Sequence, residues 1–196
     1  MPKYFSSRGT HIAVGLIAVS SFAALPMAAL AQVPTDATGT LAAGQLTNSA
    51  PALAPFAANL TGVTQTITTA VGAWNVTDAT GSNEGYSITV AATAPVVAGG
   101  AVGTFAGGEA WMTLTPTTAT ATAGNPAAAG PTAGGAQALS TTAATIQNAD
   151  ADTGQGSWDF AADAGAVENL AVVIPGDASA GSYSSTLTYT AAPPVA

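Results

Sequence analysis

Tyr183-Ser-Ser-Thr-Leu-Thr-Tyr189 shows the most regular pattern in this chain. Tyr183, Leu187 and Tyr189 share one parity along the stretch, and the residues between them are Ser and Thr. Because successive side chains of a β-strand point to opposite faces, this pattern predicts one aromatic and aliphatic face and one hydroxylated face. The stretch therefore predicts a half-buried strand.

The same two-residue period recurs along the chain between turn residues. It is clear in Tyr86–Val90 and Leu170–Ile174, and further candidate strands are Gln65–Val71, Trp74–Thr77, Met112–Thr115, Ser157–Phe160 and, more weakly, the region around Thr40–Leu46. The Ala-rich stretches are interrupted by Gly, Pro and Thr, so no amphipathic helix is predicted. We expect an all-β fold, a single antiparallel β-sandwich of the immunoglobulin-like or Greek-key type.

Two segments lack strand patterning and are predicted to be irregular connections. Residues 50–56 are broken by Pro51 and Pro55, and residues 117–137 consist almost entirely of Ala, Thr, Gly and Pro. The second segment has no charge and no aromatic residue. We expect it to form a long surface loop.

The charged residues are few and unevenly placed. The 196 residues include 10 acidic side chains, 2 of Lys or Arg, 1 His and no Cys, for a formal net charge of −8. Lys3, Arg8 and His11 all precede the first acid, Asp36. A chain that loses its beginning would have no cation to pair with nucleic acid or an anionic lipid surface. It would also lack thiolate metal sites, disulfides and catalysis by His, Cys or Lys.

The beginning of the chain is typical of a secretory leader. Lys3, Arg8 and His11 precede an uncharged apolar run over residues 12–25, Pro26 breaks it, and Ala29-Leu-Ala31 offers the small residues of a cleavage site. The run is shorter than the roughly 20 residues needed to span a bilayer. We expect a signal peptide over residues 1–31, a single mature domain over residues 32–196, and no membrane insertion after cleavage. The end of the chain shows no sorting motif, so attachment to a surface is expected to be non-covalent.

Two segments of the predicted sandwich resemble the signatures of the WxL domain family. The first is Val76-Thr-Asp-Ala-Thr-Gly81 followed by Gly85-Tyr-Ser-Ile-Thr-Val90, and the second is Ala151-Asp-Thr-Gly-Gln-Gly-Ser-Trp-Asp-Phe160. The similarity extends over roughly residues 38–192 and includes the closing strands. Here the two W-x-L motifs read Tyr86-Ser-Ile88 and Trp158-Asp-Phe160, and Thr80 replaces the usual Arg.

The resemblance implies an extracellular module of Gram-positive bacteria that is associated with the cell wall. Its expected partners are peptidoglycan, another cell-wall polymer or a wall-anchored surface protein, and nucleic acid is not expected. Since anionic wall polymers repel an acidic chain, binding would use aromatic stacking, backbone hydrogen bonds, bridging divalent cations or a basic partner protein. The alternative function is a structural subunit of a surface fibre or layer, because exposed strand edges polymerise readily.

Five apolar side chains are the candidate binding residues. Tyr86 with Ile88, and Trp158 with Phe160, each form a stripe on one strand face, and Trp111 is the fifth candidate. An exposed stripe of this kind would mark a binding surface. The alternative is that the stripes belong to the core, since the chain has few large side chains. The parity of the tryptophans also predicts that at least one of them lies on an outer face.

The acidic residues suggest little chemistry beyond a candidate calcium site. Asp150 and Asp152, with Gly154 following and Asp159 and Asp163 downstream, form the densest acidic stretch. Calcium prefers several oxygen ligands on a flexible loop, and a solvated acidic turn is the alternative interpretation. No other cofactor is expected. No motif frames a pair of carboxylates for glycoside hydrolysis, so we expect a protein that is not an enzyme.

Overall fold

The computed structural model describes residues 39–97, 111–125, 129–160 and 168–194, and the predicted leader lies outside them. The chain divides into two units, Met1–Thr40 and Leu41–Ala196, and only Gly39 and Thr40 of the first are described. All strands among the described residues belong to the second unit. They are β1 (Leu46–Asn48), β2 (Gln65–Ala70), β3 (Trp74–Asp78), β4 (Tyr86–Ala92), β5 (Val96–Val97), β6 (Met112–Thr115), β7 (Thr120–Ala121), β8 (Thr132–Ala133), β9 (Gln137–Leu139), β10 (Ala144–Ala149), β11 (Gly156–Phe160), β12 (Asn169–Ile174), β13 (Tyr183–Ser184) and β14 (Leu187–Ala192).

The strands form three four-stranded sheets and one short ribbon. The first sheet has the order β1-β3-β11-β7, the second β14-β4-β10-β8 and the third β2-β12-β6-β9, while β13 pairs with β5. Every recorded strand pair is antiparallel. The described residues contain no helix. The all-β class and the antiparallel sandwich architecture predicted from the alternation are confirmed.

One hydrophobic core unites the buried faces of the sheets. Alternate residues of β4 are buried from Tyr86 to Ala92, and the same alternation buries Leu170, Val172 and Ile174 on β12. The buried apolar residues of β3, β6, β9, β10 and β11 form a single cluster with those of β4 and with Leu170 and Val172 of β12. Burial of these apolar side chains, together with the ladder hydrogen bonds, stabilises a chain that has no disulfides.

The Asn48 side chain links the first strand to the last. Its Nδ2 donates to the Tyr189 carbonyl oxygen (3.3 Å), and its Oδ1 accepts from the backbone N–H of Ala191 (3.2 Å). An amide side chain has the same donor and acceptor as a peptide group, so it can replace one rung of a ladder. Asn48 therefore joins the edge of the first sheet to the edge of the second.

The predicted strand Tyr183–Tyr189 is divided in the structure. At the break, the Thr93 carbonyl oxygen accepts from Ser185 Oγ (2.7 Å), and Thr93 Oγ1 accepts from the N–H of Thr186 (2.9 Å). These bonds lie between β13, which pairs with β5, and β14, which pairs with β4. The prediction of one continuous strand is wrong, because Ser185 and Thr186 belong to neither strand and bond instead to Thr93, just after β4.

Two other sequence predictions also require correction. The segment 117–137 is not wholly irregular, because β7 and β8 lie within it and β9 begins at its end. The weak candidate around Thr40–Leu46 is displaced, since β1 begins only at Leu46. Residues 50–56 contain no strand apart from an isolated bridge between Leu53 and Val71, as predicted.

Candidate functional site

The structure places all five candidate binding side chains in the core. The exposed fractions are 1% for Tyr86, 0% for Ile88, 5% for Trp158, 1% for Phe160 and 7% for Trp111. A recognition surface needs ring faces that meet solvent, and these do not. The burial supports the alternative interpretation, that the aromatic stripes pack the core of a chain with few large side chains.

The prediction that one tryptophan lies on an outer face is wrong. Trp74 and Trp158 are buried, as is Trp111. The Trp74 ring stacks on Phe160 with centroids 3.9 Å apart and planes inclined by 12°. The Trp158 indole N–H donates to the carbonyl oxygens of Gly154 (2.9 Å) and Gln155 (3.1 Å). Trp74 is thus held by ring stacking and Trp158 by hydrogen bonds, both to neighbours within the fold.

Sequence reasoning missed a buried carboxylate at the centre of this aromatic cluster. Glu168, just before β12, is 2% exposed. Its Oε2 accepts from Trp74 Nε1 at 2.8 Å, and its Oε1 accepts from Tyr189 Oη at 3.0 Å. Desolvation raises the pKa of Glu168 above its ordinary value, and the two hydrogen bonds partly oppose the rise. Burial, aided by the Glu168 charge and hydrogen bond, raises the pKa of Tyr189.

In the described structure, Glu168 links Trp74 and Tyr189 within the core. Both carboxylate oxygens are occupied by neutral donors, and the side chain has almost no access to solvent. A general acid needs to reach the proton acceptor on a substrate. The contact between Trp74 and Glu168 could not be predicted from a local sequence pattern, because the two residues are separated by 94 positions along the chain.

The two segments that resemble the WxL signatures meet at one end of the sandwich. Val76 is paired with Trp158 and Asp78 with Gly156 in the first sheet. We call the loops that extend from this pairing, residues 78–85 and 150–156, the signature surface. The loops touch directly, since the N–H of Asp152 donates to the Asn83 carbonyl oxygen (3.0 Å).

Side-chain contacts reinforce the contact between the two loops. Gln155 Nε2 donates to Asn83 Oδ1 at 3.2 Å. In the first loop, Asp78 Oδ1 accepts from the N–H of Thr80 (3.0 Å) and from its hydroxyl (2.7 Å), which closes the turn. Asn83 and Asp152 adopt positive φ angles of 59° and 63°, a conformation that Asn and Asp tolerate better than most residues. The sequence identified the two loops but could not show that they meet.

The exposed side chains of the signature surface are mostly polar: acids, an amide and a hydroxyl. The exposed polar side chains are those of Ser82, Asn83, Glu84, Asp150 and Asp152, and Ala79 and Ala151 are exposed beside them. Behind them lies Tyr86, whose buried hydroxyl has no hydrogen-bond partner among the described residues. Burial and the nearby Asp78 charge both raise the pKa of Tyr86. The hydroxyl therefore stays protonated.

The calcium hypothesis gains no support from the arrangement of the acids. Asp150 Oδ1 accepts from Asn148 Nδ2 at 2.8 Å, and the Asp150 carbonyl oxygen accepts from Thr153 in a local turn. Asp159 is bonded to Thr122 instead, and Asp163 lies outside the described residues. No group of three or more His, Cys, Asp or Glu side chains that suits a metal ion occurs in the described ranges.

A groove of about 900 Å³ lies over the inward face of the third sheet. The sheet contributes Met112, Leu170 and Val172. Residues 53–60, and residues 178–185 with β13 among them, line it further. None of the residues that line the groove carries a charge. The most reactive groups among them are the hydroxyls of Ser, Thr and Tyr side chains. The groove is suited to binding an uncharged apolar group. It shares no residue with the signature surface.

Comparison with known proteins gave no relative. No protein-family model matches the chain, and neither the curated proteins nor the solved structures gave a match. Among the described residues there is no helix long and apolar enough to cross a membrane.

Proposed function

We propose that this chain is a secreted, non-catalytic binding module of the WxL type, held non-covalently at the wall of a Gram-positive bacterium. Its ligand is peptidoglycan or a wall-anchored partner protein. The observation that supports the proposal is the meeting of the two signature-like segments in a single exposed surface, joined by the contacts of Asn83 with Asp152 and Gln155. Segments that are far apart in sequence and form one surface are typical of a binding site on a rigid scaffold.

The charges of the signature surface favour a cationic or amide-bearing ligand group. Glu84, Asp150 and Asp152 are exposed there, and no described residue is a Lys, Arg or His. Free amines of wall peptides, or basic side chains of a partner protein, would lie favourably against these acids. Anionic wall polymers would be repelled. Because exposed charges are screened by ions, this binding weakens as salt is added.

The experiment is sedimentation of the protein with purified cell walls at low and high salt, with and without calcium. We expect retention at low salt that falls as salt is added. In Asp152→Asn the charge is removed while the positive φ of 63° is still tolerated. This variant, and Glu84→Gln, should weaken retention several-fold.

The matched control is Asp177→Asn, which removes the same charge from an exposed position outside the signature surface. It should leave retention nearly unchanged. The proposal is contradicted if the unmodified protein stays in solution with walls under all these conditions. Equal losses in Asp177→Asn and Asp152→Asn would show that net charge matters and that the signature surface does not.

A further inference from the structure

The exposed apolar side chains of this molecule are concentrated in one segment. The large exposed hydrophobic residues among the described residues are Leu41, Leu53, Phe56, Leu60, Val63 and Val96. Four of these six lie within residues 53–63, which we call the strap. Phe56 and Leu60 are 39% and 43% exposed, and Val63 is 65% exposed. Single exposed apolar side chains are ordinary on protein surfaces, whereas a contiguous group of them often marks an interaction site.

The strap runs beside the edge strand β2 without pairing with it. At one end Leu53 forms a bridge with Val71, and at the other the Asn59 carbonyl oxygen accepts from Gln65 Nε2 at 2.8 Å. The seven positions from 53 to 59 therefore accompany the seven positions from 71 back to 65. Between these ends no backbone hydrogen bond joins residues 54–58 to β2 in the described structure. Pro55 lacks an N–H, which weakens any ladder here.

The strap forms one side of the groove over the third sheet. Leu53, Phe56 and Leu60 line the groove, and Pro95, next to exposed Val96, lines it as well. The same surface therefore has projecting apolar side chains and a recess beside them. A surface with both features can be complementary to itself, which a two-fold interface requires.

The charge distribution favours a second copy of the chain as the occupant. No charged residue occurs between Asp36 and Asp78, so the strap and β2 are neutral within a chain of net charge −8. A basic partner would be drawn to the acidic loops instead. Two copies that meet strap to strap bring together surfaces with few charges. The exposed acid that adjoins them is Asp177, between Gly176, which lies against Val63, and the groove residue Ala178.

We propose that the strap and the adjoining groove dock a second copy of this chain in a two-fold dimer, with Phe56 and Leu60 of each copy inserted beside the groove of the other. The dimer is driven by burial of apolar surface. This inference does not rest on the proposed wall binding, because the strap and the signature surface have no residue in common. Wall binding and dimerisation also respond oppositely to salt. Added ions weaken the attraction of the acids to a cationic ligand, whereas they screen the repulsion between two acidic copies and so favour the dimer.

The test is analytical ultracentrifugation of the purified protein from about 1 µM to about 200 µM, at low and high salt. We expect twice the monomer mass at the upper concentrations and tighter association at high salt. Phe56→Ser and Leu60→Ser should each weaken dimerisation about tenfold or more, because truncated central apolar contacts dominate interface energies. Both side chains are partly exposed, and urea unfolding of each variant verifies that the fold is retained.

The matched control is Leu41→Ser, since Leu41 is a fully exposed leucine of the same neutral stretch outside the strap. It should dimerise as the unmodified protein does. A monomer at every concentration would overturn the proposal, and so would an equal loss in Leu41→Ser and Leu60→Ser. An open series of larger species would overturn the two-fold arrangement and favour a fibre subunit.

Discussion

The carboxylate of Glu168 accepts a 2.8 Å hydrogen bond from the indole N–H of Trp74, and both groups are buried. The second oxygen of Glu168 accepts from the hydroxyl of Tyr189, whose ring lies 5.3 Å from that of Trp74. The carboxylate thus has two neutral donors and no cation within the described structure. A buried acid held in this way is costly when ionised, because the hydrogen bonds only partly replace its hydration.

Glu168 makes stability depend on pH in an unusual direction. Its pKa in the folded state is raised above the ordinary value of 4.5. At pH values between 4.5 and the raised pKa, Glu168 keeps its proton in the folded state and has released it in the unfolded state. The free energy of unfolding therefore falls as the pH rises through this range. Glu168→Gln should remove this dependence. Urea unfolding at about pH 5 and about pH 8 measures it.

Glu168→Ala is the contrasting variant, because it leaves the Trp74 and Tyr189 donors without an acceptor. We expect it to lower the free energy of unfolding by about 3 kcal/mol, whereas Glu168→Gln at pH 8 is neutral or stabilising. If Glu168→Gln retains the pH dependence of the unmodified protein, another group causes it.

The two buried tyrosines should respond oppositely to loss of their hydroxyls. The Tyr86 hydroxyl is buried without a partner, so Tyr86→Phe should leave stability unchanged or raise it by up to about 1 kcal/mol. Tyr189→Phe breaks the bond to Glu168 and should cost about 1 to 3 kcal/mol. Urea unfolding curves of the two variants are compared directly. A clear destabilisation by Tyr86→Phe would mean that its hydroxyl has a partner after all.

Gly85 should be intolerant of a side chain in a way that Gly81 is not. Both have positive φ, 80° and 67°, so alanine strains the backbone at either position. A Cβ at Gly85 would also collide with the backbone carbonyls of Ala149 and Asp150, while one at Gly81 would meet nothing. We expect a loss of about 1 kcal/mol for Gly81→Ala and at least about 3 kcal/mol for Gly85→Ala. Thermal unfolding measures both, and equal losses would refute the close approach of the two loops.

Asn48 should be needed for the joint between the first and second sheets. Asn48→Ala removes a donor and an acceptor from partly buried backbone partners, and should cost about 1 to 2 kcal/mol. Asn48→Asp keeps the acceptor for the Ala191 N–H but loses the donor to Tyr189, so it should be intermediate. Hydrogen exchange at the Ala191 amide reports the joint locally. Fast exchange there in Asn48→Ala, with slow exchange kept in Asn48→Asp, is the expected pattern.

The strands that sequence predicted are those with strict alternation. The sequence predicts β2, β3, β4, β6, β11 and β12 within two residues of their ends, because one covered face imposes a two-residue period. β10 was missed because a register shift between Thr145 and Gln147 buries both Ile146 and Gln147, which hides the period. The strands of only two residues carry too little pattern to be recognised.

The sites were harder to predict than the strands, since alternation does not say which face is covered. Tyr86 and Ile88 do share a face, as predicted, but that face belongs to the core. Glu168 and the groove depend on contacts between residues far apart in sequence. The acidic loops were recognised from their turn residues, and their meeting follows only from the antiparallel pairing of β3 with β11.

The bond between Asn48 and Tyr189 makes β1 and β14 neighbours, although they begin and end the strand order. The sandwich could therefore be circularly permuted: a short linker from the end of β14 to the start of β1 would close the chain, and new termini could be opened in a surface turn elsewhere. By the same geometry, a tether or fluorescent label attached beyond either strand would report on the same corner of the molecule.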